Sequence, residues 1–397
     1  MKTDNLAEIR RNRSWLRADN CGIEDFAALQ ARQTDPSDYP LAAEILRNVP
    51  VYEGDAIRRA AEVPGQRQSL MAEWSDAMMH GPGIVALRGA LDDMAVIDAA
   101  TARFNEMIAA QRAAGAAAAD HFAKPGANDR VWNGLEKLCL ADPELFAAYY
   151  GNAAIALVSE AWLGPAYQVT SQINCVNPGG AAQSAHRDYH LGFQLPAAME
   201  RYPAHVHRLS PLLTLQGAVA HCDMPVESGP TLYLPFSQIY EPGYLATGLP
   251  EFRAYFEQHH VQLPLRKGDA VFFNPALFHA AGHNRSTDIR RMANLLQVSS
   301  AYGRAMESVD RTAMSRKLYP VLLAMRAAGR LTEAQVANAV AASAEGYAFP
   351  TNLDRDPPVG GLAPETQQAL MQRALGESWD EARFTEALDQ QAWRKLT

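Results

Sequence analysis

Ser184-Ala185-His186-Arg187-Asp188-Tyr189-His190 is the stretch around which the rest of the chain organises. His186 and Asp188 stand two positions apart, and on a β-strand residues i and i+2 face the same side. The expectation is a strand over 184–190 that aims an imidazole and a carboxylate at one metal ion. A third ligand must then come from a distant segment that folds back alongside. His279 is the candidate, at the end of Val271-Phe272-Phe273-Asn274-Pro275-Ala276-Leu277-Phe278-His279. That apolar run reads as a buried strand delivering a ligand at its end. His283 is the rival, but it lies past the run, in the polar turn that follows.

Two histidines and one carboxylate on one face of a metal form the facial triad of non-haem Fe(II) oxygenases, with the remaining positions open. Arg290 follows His279 by eleven residues, across a turn rich in Gly, Asn and Ser. A returning strand sets that guanidinium near the metal. Its fork suits the far carboxylate of a dicarboxylic acid. Arg291, next along, would point the other way on a strand.

Further motifs follow in order. Ile173-Asn174 precedes the His186–Asp188 pair. Gln216-Gly217-Ala218-Val219-Ala220-His221-Cys222-Asp223, Glu227-Ser228-Gly229-Pro230-Thr231-Leu232-Tyr233-Leu234-Pro235, Lys267-Gly268-Asp269-Ala270-Val271-Phe272-Phe273 and Asn284-Arg285-Ser286 come after it. In order and spacing, from about residue 83 to 300, these resemble the phytanoyl-CoA dioxygenase family of Fe(II)/2-oxoglutarate-dependent oxygenases. Two positions depart from the family pattern: Ala281 stands where several relatives carry a serine, and Phe236-Ser237 replaces Gly-Ser after Pro235.

The resemblance implies an α+β protein whose core is a double-stranded β-helix (jelly roll, cupin-like), with flanking N- and C-terminal helices. It implies Fe(II) held by His186, Asp188 and His279, with 2-oxoglutarate as cosubstrate and O2 as oxidant. Arg290, Asn174 and Gln216 are the cosubstrate-binding candidates, and His190, Lys124 and Arg130 the substrate-side candidates. His221 and His283 are further candidates beside the metal, each with an ordinary structural histidine as the alternative. The implied reaction is hydroxylation of a small organic metabolite with release of succinate and CO2. In related halogenases Gly or Ala replaces the carboxylate and admits chloride, so Asp188 favours hydroxylation. A same-fold oxidase (desaturation, cyclisation or carbon–heteroatom cleavage) and a non-catalytic ligand-binding barrel are the alternatives.

The composition agrees with this. The chain of 397 residues, 48% hydrophobic and 20% charged, reads as an ordinary globular protein. A formal net charge of −8 argues against a general nucleic-acid binder. Cys21, Cys139, Cys175 and Cys222 are scattered without a CxxC, so reduced thiols are the default. No apolar leader and no run of eighteen apolar residues stand out, and the expectation is a cytoplasmic enzyme with no membrane partner. A homodimer remains open.

The expected organisation is an N-terminal helical extension (1–75), the oxygenase domain with its leading helices (76–300) and a C-terminal helical extension (301–397). Within the first part, 23–29 and 41–46 read as short amphipathic helices. A strand at 84–87 precedes a helix capped by Asp92 or Asp93. The segment 121–133 reads as a loop. Short strands follow, at 167–176, 184–190, 212–222, 231–234, 261–265, 270–274 and 293–299, with a helical insert near 249–259. Thr332-Glu333-Ala334-Gln335 and Ser378-Trp379-Asp380-Glu381 read as helix capping boxes.

Overall fold

The computed structural model describes residues 2–114 and 126–397, with side chains from residue 6 onward. Among these residues eleven strands form two sheets in a mixed α/β fold. The strands are β1 (Glu44–Leu46), β2 (Val49–Glu53), β3 (Ile84–Arg88), β4 (Asn128–Val131), β5 (Gln168–Val176), β6 (Thr214–Ala220), β7 (Leu232–Leu234), β8 (Val261–Gln262), β9 (Ala270–Phe273), β10 (Phe278–Ala280) and β11 (Arg291–Ser299). Eight make the larger sheet, in the order β1-β2-β3-β9-β6-β11-β5-β4, and three make the smaller, β10-β7-β8. All pairings are antiparallel except β2 with β3.

Strand β11 is the axis of the larger sheet. It pairs along its whole length with β5, from Arg291 opposite Val176 to Ser299 opposite Gln168, and over seven residues with β6. Because side chains alternate, β11 has two unlike faces. Arg291, Ala293, Leu295 and Gln297 line a cavity, while Met292 and Val298 enter a large apolar core. The neighbours repeat the division. Gln172, Asn174 and Val176 of β5, and Gln216, Ala218 and Ala220 of β6, face the cavity; Ile173, Cys175, Leu215 and Val219 face the core.

That core is roofed by helices. Phe104 from the helix Met94–Ala113, Phe146 from Pro143–Tyr150, and Leu318 and Leu322 from Arg311–Ala327 are fully buried in it. Emptying either phenylalanine to alanine would cost about 3–5 kcal/mol. The helix Arg311–Ala327 is tied down further by Arg311, which donates to the carbonyl oxygens of Val169 and Ala342. Asp93 caps Met94–Ala113 by accepting from the amides of Ala95 and Val96. Thr332 and Gln335 form the expected capping box. The second expected box is a simple cap, in which Asp380 accepts from the Arg383 amide and Ser378 lies outside.

The two sheets meet through a second apolar cluster. It joins Val271 and Phe273 of β9 to Tyr233 of β7, with the Tyr233 and Phe273 rings 5.1 Å apart, edge to face. The cavity opens between the sheets, with a volume of about 620 Å3.

Four expectations are corrected. The first 75 residues are not purely helical: 41–46, read as a helix, ends in β1, which forms a hairpin with β2. Arg47 and Asn48 are both left-handed (φ 52° and 70°), the backbone of a two-residue hairpin turn. β2 then pairs with β3, so this segment extends the larger sheet instead of only packing outside it. Second, the run 271–279 is two strands, because Asn274-Pro275 breaks it and sends β10 to the other sheet. Third, 128–131, read as loop, is edge strand β4. Fourth, 184–190 is not a regular strand. It holds a single bridge, His186 to His279, before the backbone turns at Tyr189 and His190 (φ 64° and 45°).

Candidate metal centre

The three residues expected to meet do so despite the loss of the regular strand. The bridge between His186 and His279 is made by two backbone hydrogen bonds, of 3.0 and 3.2 Å. It brings the rings to a centroid distance of 4.5 Å. The two histidines are held alike. His186 Nδ1 lies 2.9 Å from the carbonyl oxygen of Ser184, and His279 Nδ1 lies 2.9 Å from that of Leu277, each two residues back. A carbonyl can only accept, so each Nδ1 carries a proton; in the neutral ring each Nε2 then keeps its lone pair, and in the protonated ring it donates toward Asp188. The Asp188 carboxylate lies 3.7 Å from Nε2 of His186 and 3.4 Å from Nε2 of His279. Ligand atoms of all three residues fall within 4.8 Å of one another. His283, the rival, is outside this group.

Arg187, between the two ligands, points the other way. It is buried, donates to the carbonyl oxygens of Ser237 and Tyr240 at 2.7 and 2.8 Å, and lies between the Tyr244 and Phe278 rings. Gly243 is required there, since a Cβ would come within 2.0 Å of the guanidinium carbon. Ser237 completes the staple by accepting from the Phe278 amide, one residue before His279. Phe236, standing where the family pattern has Gly, keeps a left-handed backbone (φ 68°).

Charge is distributed to suit a cation. Burial disfavours the Asp188 carboxylate, but the hydrogen bond from His279, the two imidazole charges and the Gln216 amide outweigh it. Its pKa is held below the usual carboxylate range. His186 is lowered, first by burial and then by the His279 charge. Gln216 Nε2 donates to Asp188 Oδ2 at 2.5 Å.

The cavity wall sorts the remaining candidates. Asn174 and Arg130 line it; Arg130 donates to Gln172 Oε1 at 2.9 Å and lies over the Trp132 ring. Gln216 lines it too, but its donor is engaged by Asp188. Arg290 is corrected. It precedes β11 on the side away from the cavity, half exposed, with Asn177, Asn105 and the buried Asp129 around it. Strand alternation puts Arg291 in the cavity instead, as the pleat rule requires once β11 is known to begin there. Arg291 is buried, and burial lowers its pKa to about 10, so it stays charged at neutral pH. Among the described residues it donates only to the carbonyl oxygens of Ser228 and Gly282 and has no carboxylate partner. His190 is also corrected: past the turn at Tyr189 it leaves the cavity for Ser210. Lys124 lies outside the described residues. His221 sits on the core face between Thr101 and Tyr149.

Sequence reasoning missed Gln172, Gln297 and Trp132 on the wall. The alternation of Gln172 with Asn174 along one strand was a signal available for the first.

Two imidazoles and a carboxylate facing one point define a site for a non-haem iron of the facial-triad class. The family follows from the comparison with known sequences: the phytanoyl-CoA dioxygenase family matches residues 79–292, more than half of the chain, and this protein belongs to it. Fe(II), 2-oxoglutarate and O2 are the reactants that family uses. The donor set fits such an iron, because both Nε2 atoms and the carboxylate are presented without help from a metal.

Dioxygenase trt7 of Aspergillus terreus is 28% identical over 148 residues, which are 37% of this chain and 42% of that protein. The match therefore spans about two fifths of that relative's length. Among solved structures, the non-heme alpha ketoglutarate dependent carbocyclase SnoK from nogalamycin biosynthesis is 22% identical with a TM-score of 0.42, covering 61% of this chain and 89% of that one. The epimerase SnoN in complex with Fe3+, alpha ketoglutarate and nogalamycin RO is 20% identical with a TM-score of 0.39, covering 60% and 85%.

Proposed function

We propose that this chain is an Fe(II)/2-oxoglutarate-dependent dioxygenase that hydroxylates a small organic molecule. The observation that carries the reading is the convergence of His186, Asp188 and His279 in a cavity whose wall also carries the buried Arg291. We read the two sheets as the double-stranded β-helix of that class. Residues 76–300 form the catalytic unit, 1–75 lends it two strands at one end of the larger sheet, and 301–397 packs on its helical side.

In this reading His186 and His279 bind iron through Nε2 and Asp188 through its carboxylate, while Arg187 fixes the turn that joins two of the ligands. Arg291 holds the far carboxylate of 2-oxoglutarate, with Asn174 beside it. Gln216 orients Asp188. Arg130 and Trp132 line the part of the wall left for substrate. The bound iron, with 2-oxoglutarate and O2, supplies oxidation of an unactivated C–H bond while the cosubstrate becomes succinate and CO2. Asp188 fills the position that chloride would need, which favours hydroxylation over halogenation.

Succinate formation from 2-oxoglutarate, measured with and without Fe(II), tests the assignment. Iron-dependent succinate and a product one oxygen heavier than its substrate are expected. A chain that neither retains iron nor forms succinate would sink it.

A further inference from the structure

On the cavity face, three glutamines form a chain between a group that only donates and a group that only accepts. At one end Arg130 donates to Gln172 Oε1 at 2.9 Å, and Gln172 Nε2 donates to Gln297 Oε1 at 3.1 Å. An arginine has no acceptor, so both amides are fixed in orientation and the Gln297 donor, Nε2, is left over. At the other end Gln216 Nε2 donates to Asp188 Oδ2 at 2.5 Å. Turning that amide over would put its oxygen against a carboxylate, so Gln216 Oε1 is left over as an acceptor. It is buried and has no partner, on a residue only 7% exposed.

Gln297 and Gln216 are direct cross-strand partners on β11 and β6. Their side chains reach apart, one toward β5 and one toward Asp188, and no hydrogen bond joins them. The polarised chain is therefore broken at one place, between a donor and an acceptor on two residues that line the cavity beside the triad. 2-Oxoglutarate cannot mend it, because two carboxylates and a ketone offer acceptors only. A buried acceptor left unsatisfied costs about 1–3 kcal/mol.

We propose that the gap is the substrate's recognition point, and that the substrate carries a hydroxyl group that accepts from Gln297 Nε2 and donates to Gln216 Oε1. The inference rests on the assignment of the triad as the iron site and adds the substrate class: a neutral, hydroxyl-bearing organic molecule, held with its hydroxyl next to the oxidising centre. The carbon oxidised is then one close to that pre-existing hydroxyl.

The test uses the full chain and matched sets of small probes: an alcohol, its methyl ether and its deoxy counterpart. Binding is followed by ligand-observed NMR with Zn(II) in place of iron and 2-oxoglutarate present. The alcohol should bind at least about fivefold more tightly than either analogue, one hydrogen bond's worth. Gln297→Leu should abolish most of that preference. Gln297→Glu, which keeps an acceptor for Gln172 but loses the donor, should do the same and guards against a folding failure of the first variant. Equal binding of all three probes would overturn the inference, since a water would then be filling the gap. The Fe(II)–2-oxoglutarate charge-transfer absorbance of the unsubstituted chain, recorded separately, tells the two failures apart. If it is present and the probes bind equally, only the substrate inference fails. If it is absent, the iron assignment fails and takes the inference with it.

Discussion

The strands of the larger sheet carry a polar cluster on each face, and the two clusters differ in completeness. On the core face, His221 lies between the Thr101 hydroxyl and the Tyr149 hydroxyl at 2.8 and 2.9 Å. Asn294 donates to Tyr149 and Tyr150, and Tyr150 meets Ser171. Each ring nitrogen and hydroxyl of that cluster has a partner, and only Asn294 Oδ1 lacks one. On the cavity face the amide atoms Gln216 Oε1, Gln297 Nε2 and Asn174 Oδ1 are unmatched, and Arg291 carries a charge that no carboxylate of the described residues answers. The first cluster is closed by the protein and serves the fold. The second is left open toward a ligand. Burial alone does not separate them; the state of their hydrogen bonds does.

The largest expected effect breaks the open side at its centre. Asp188→Ala or His279→Ala should lower iron-dependent succinate formation by more than about a hundredfold, beyond the range of supporting-residue losses at metal sites. Thermal melting should stay close to that of the unsubstituted chain. If His283→Ala loses iron and His279→Ala keeps it, the ligand set is wrong. Next, Arg291→Met should raise the apparent 2-oxoglutarate requirement at least about tenfold, as loss of a charge-assisted bond implies. Arg290→Met, one position away on the other face, should leave that requirement unchanged.

On the closed side the effects are on stability. Burial pushes His221 down to about 3, so between pH 6.5 and pH 3 the unfolded chain takes up a proton there that the folded chain refuses. Stability from this group is therefore lost as pH falls through that window, by about 1.4 kcal/mol per pH unit. His186, His190 and His207 are lowered as well and add in the same direction. The difference in urea midpoints between the unsubstituted chain and His221→Gln, at pH 7 and pH 5, isolates the share of His221. Tyr149→Phe strands His221 and weakens the hold on Asn294. It should destabilise by about 1–3 kcal/mol, with succinate formation per folded molecule unaltered. A loss of turnover in Tyr149→Phe would show that the two faces are coupled and the comparison false.

Much of this is legible in the amino-acid sequence. The meeting of His186, Asp188 and His279 and most of the short strands follow from local spacing and apolar runs. What escaped was set by contacts distant in sequence. The choice between Arg290 and Arg291 depends on which residue begins β11, and a one-residue shift exchanges the two faces. His186 and Asp188 meet His279 without a regular ladder, because their partner, β10, is only three residues long. Residues 44–46 join a sheet whose other members lie far along the chain, so local periodicity said helix. A regular strand over 184–190 would put His190 on the same face as His186, and the left-handed turn at Tyr189 between them leaves no trace in composition. No helix of the described residues is long and apolar enough to cross a membrane.

The buried Arg187 has a consequence for how the protein acquires its metal. Its guanidinium, burial-lowered to about 10, is stapled to two carbonyls and packed between two rings, and both histidines are fixed through Nδ1. The ligand geometry is thus maintained by polypeptide alone. In small zinc domains binding and folding are one event; here they are separable. A chelator should strip the iron and leave a folded apoprotein, and added Fe(II) should restore the site at the rate of ion exchange, with no refolding step in between.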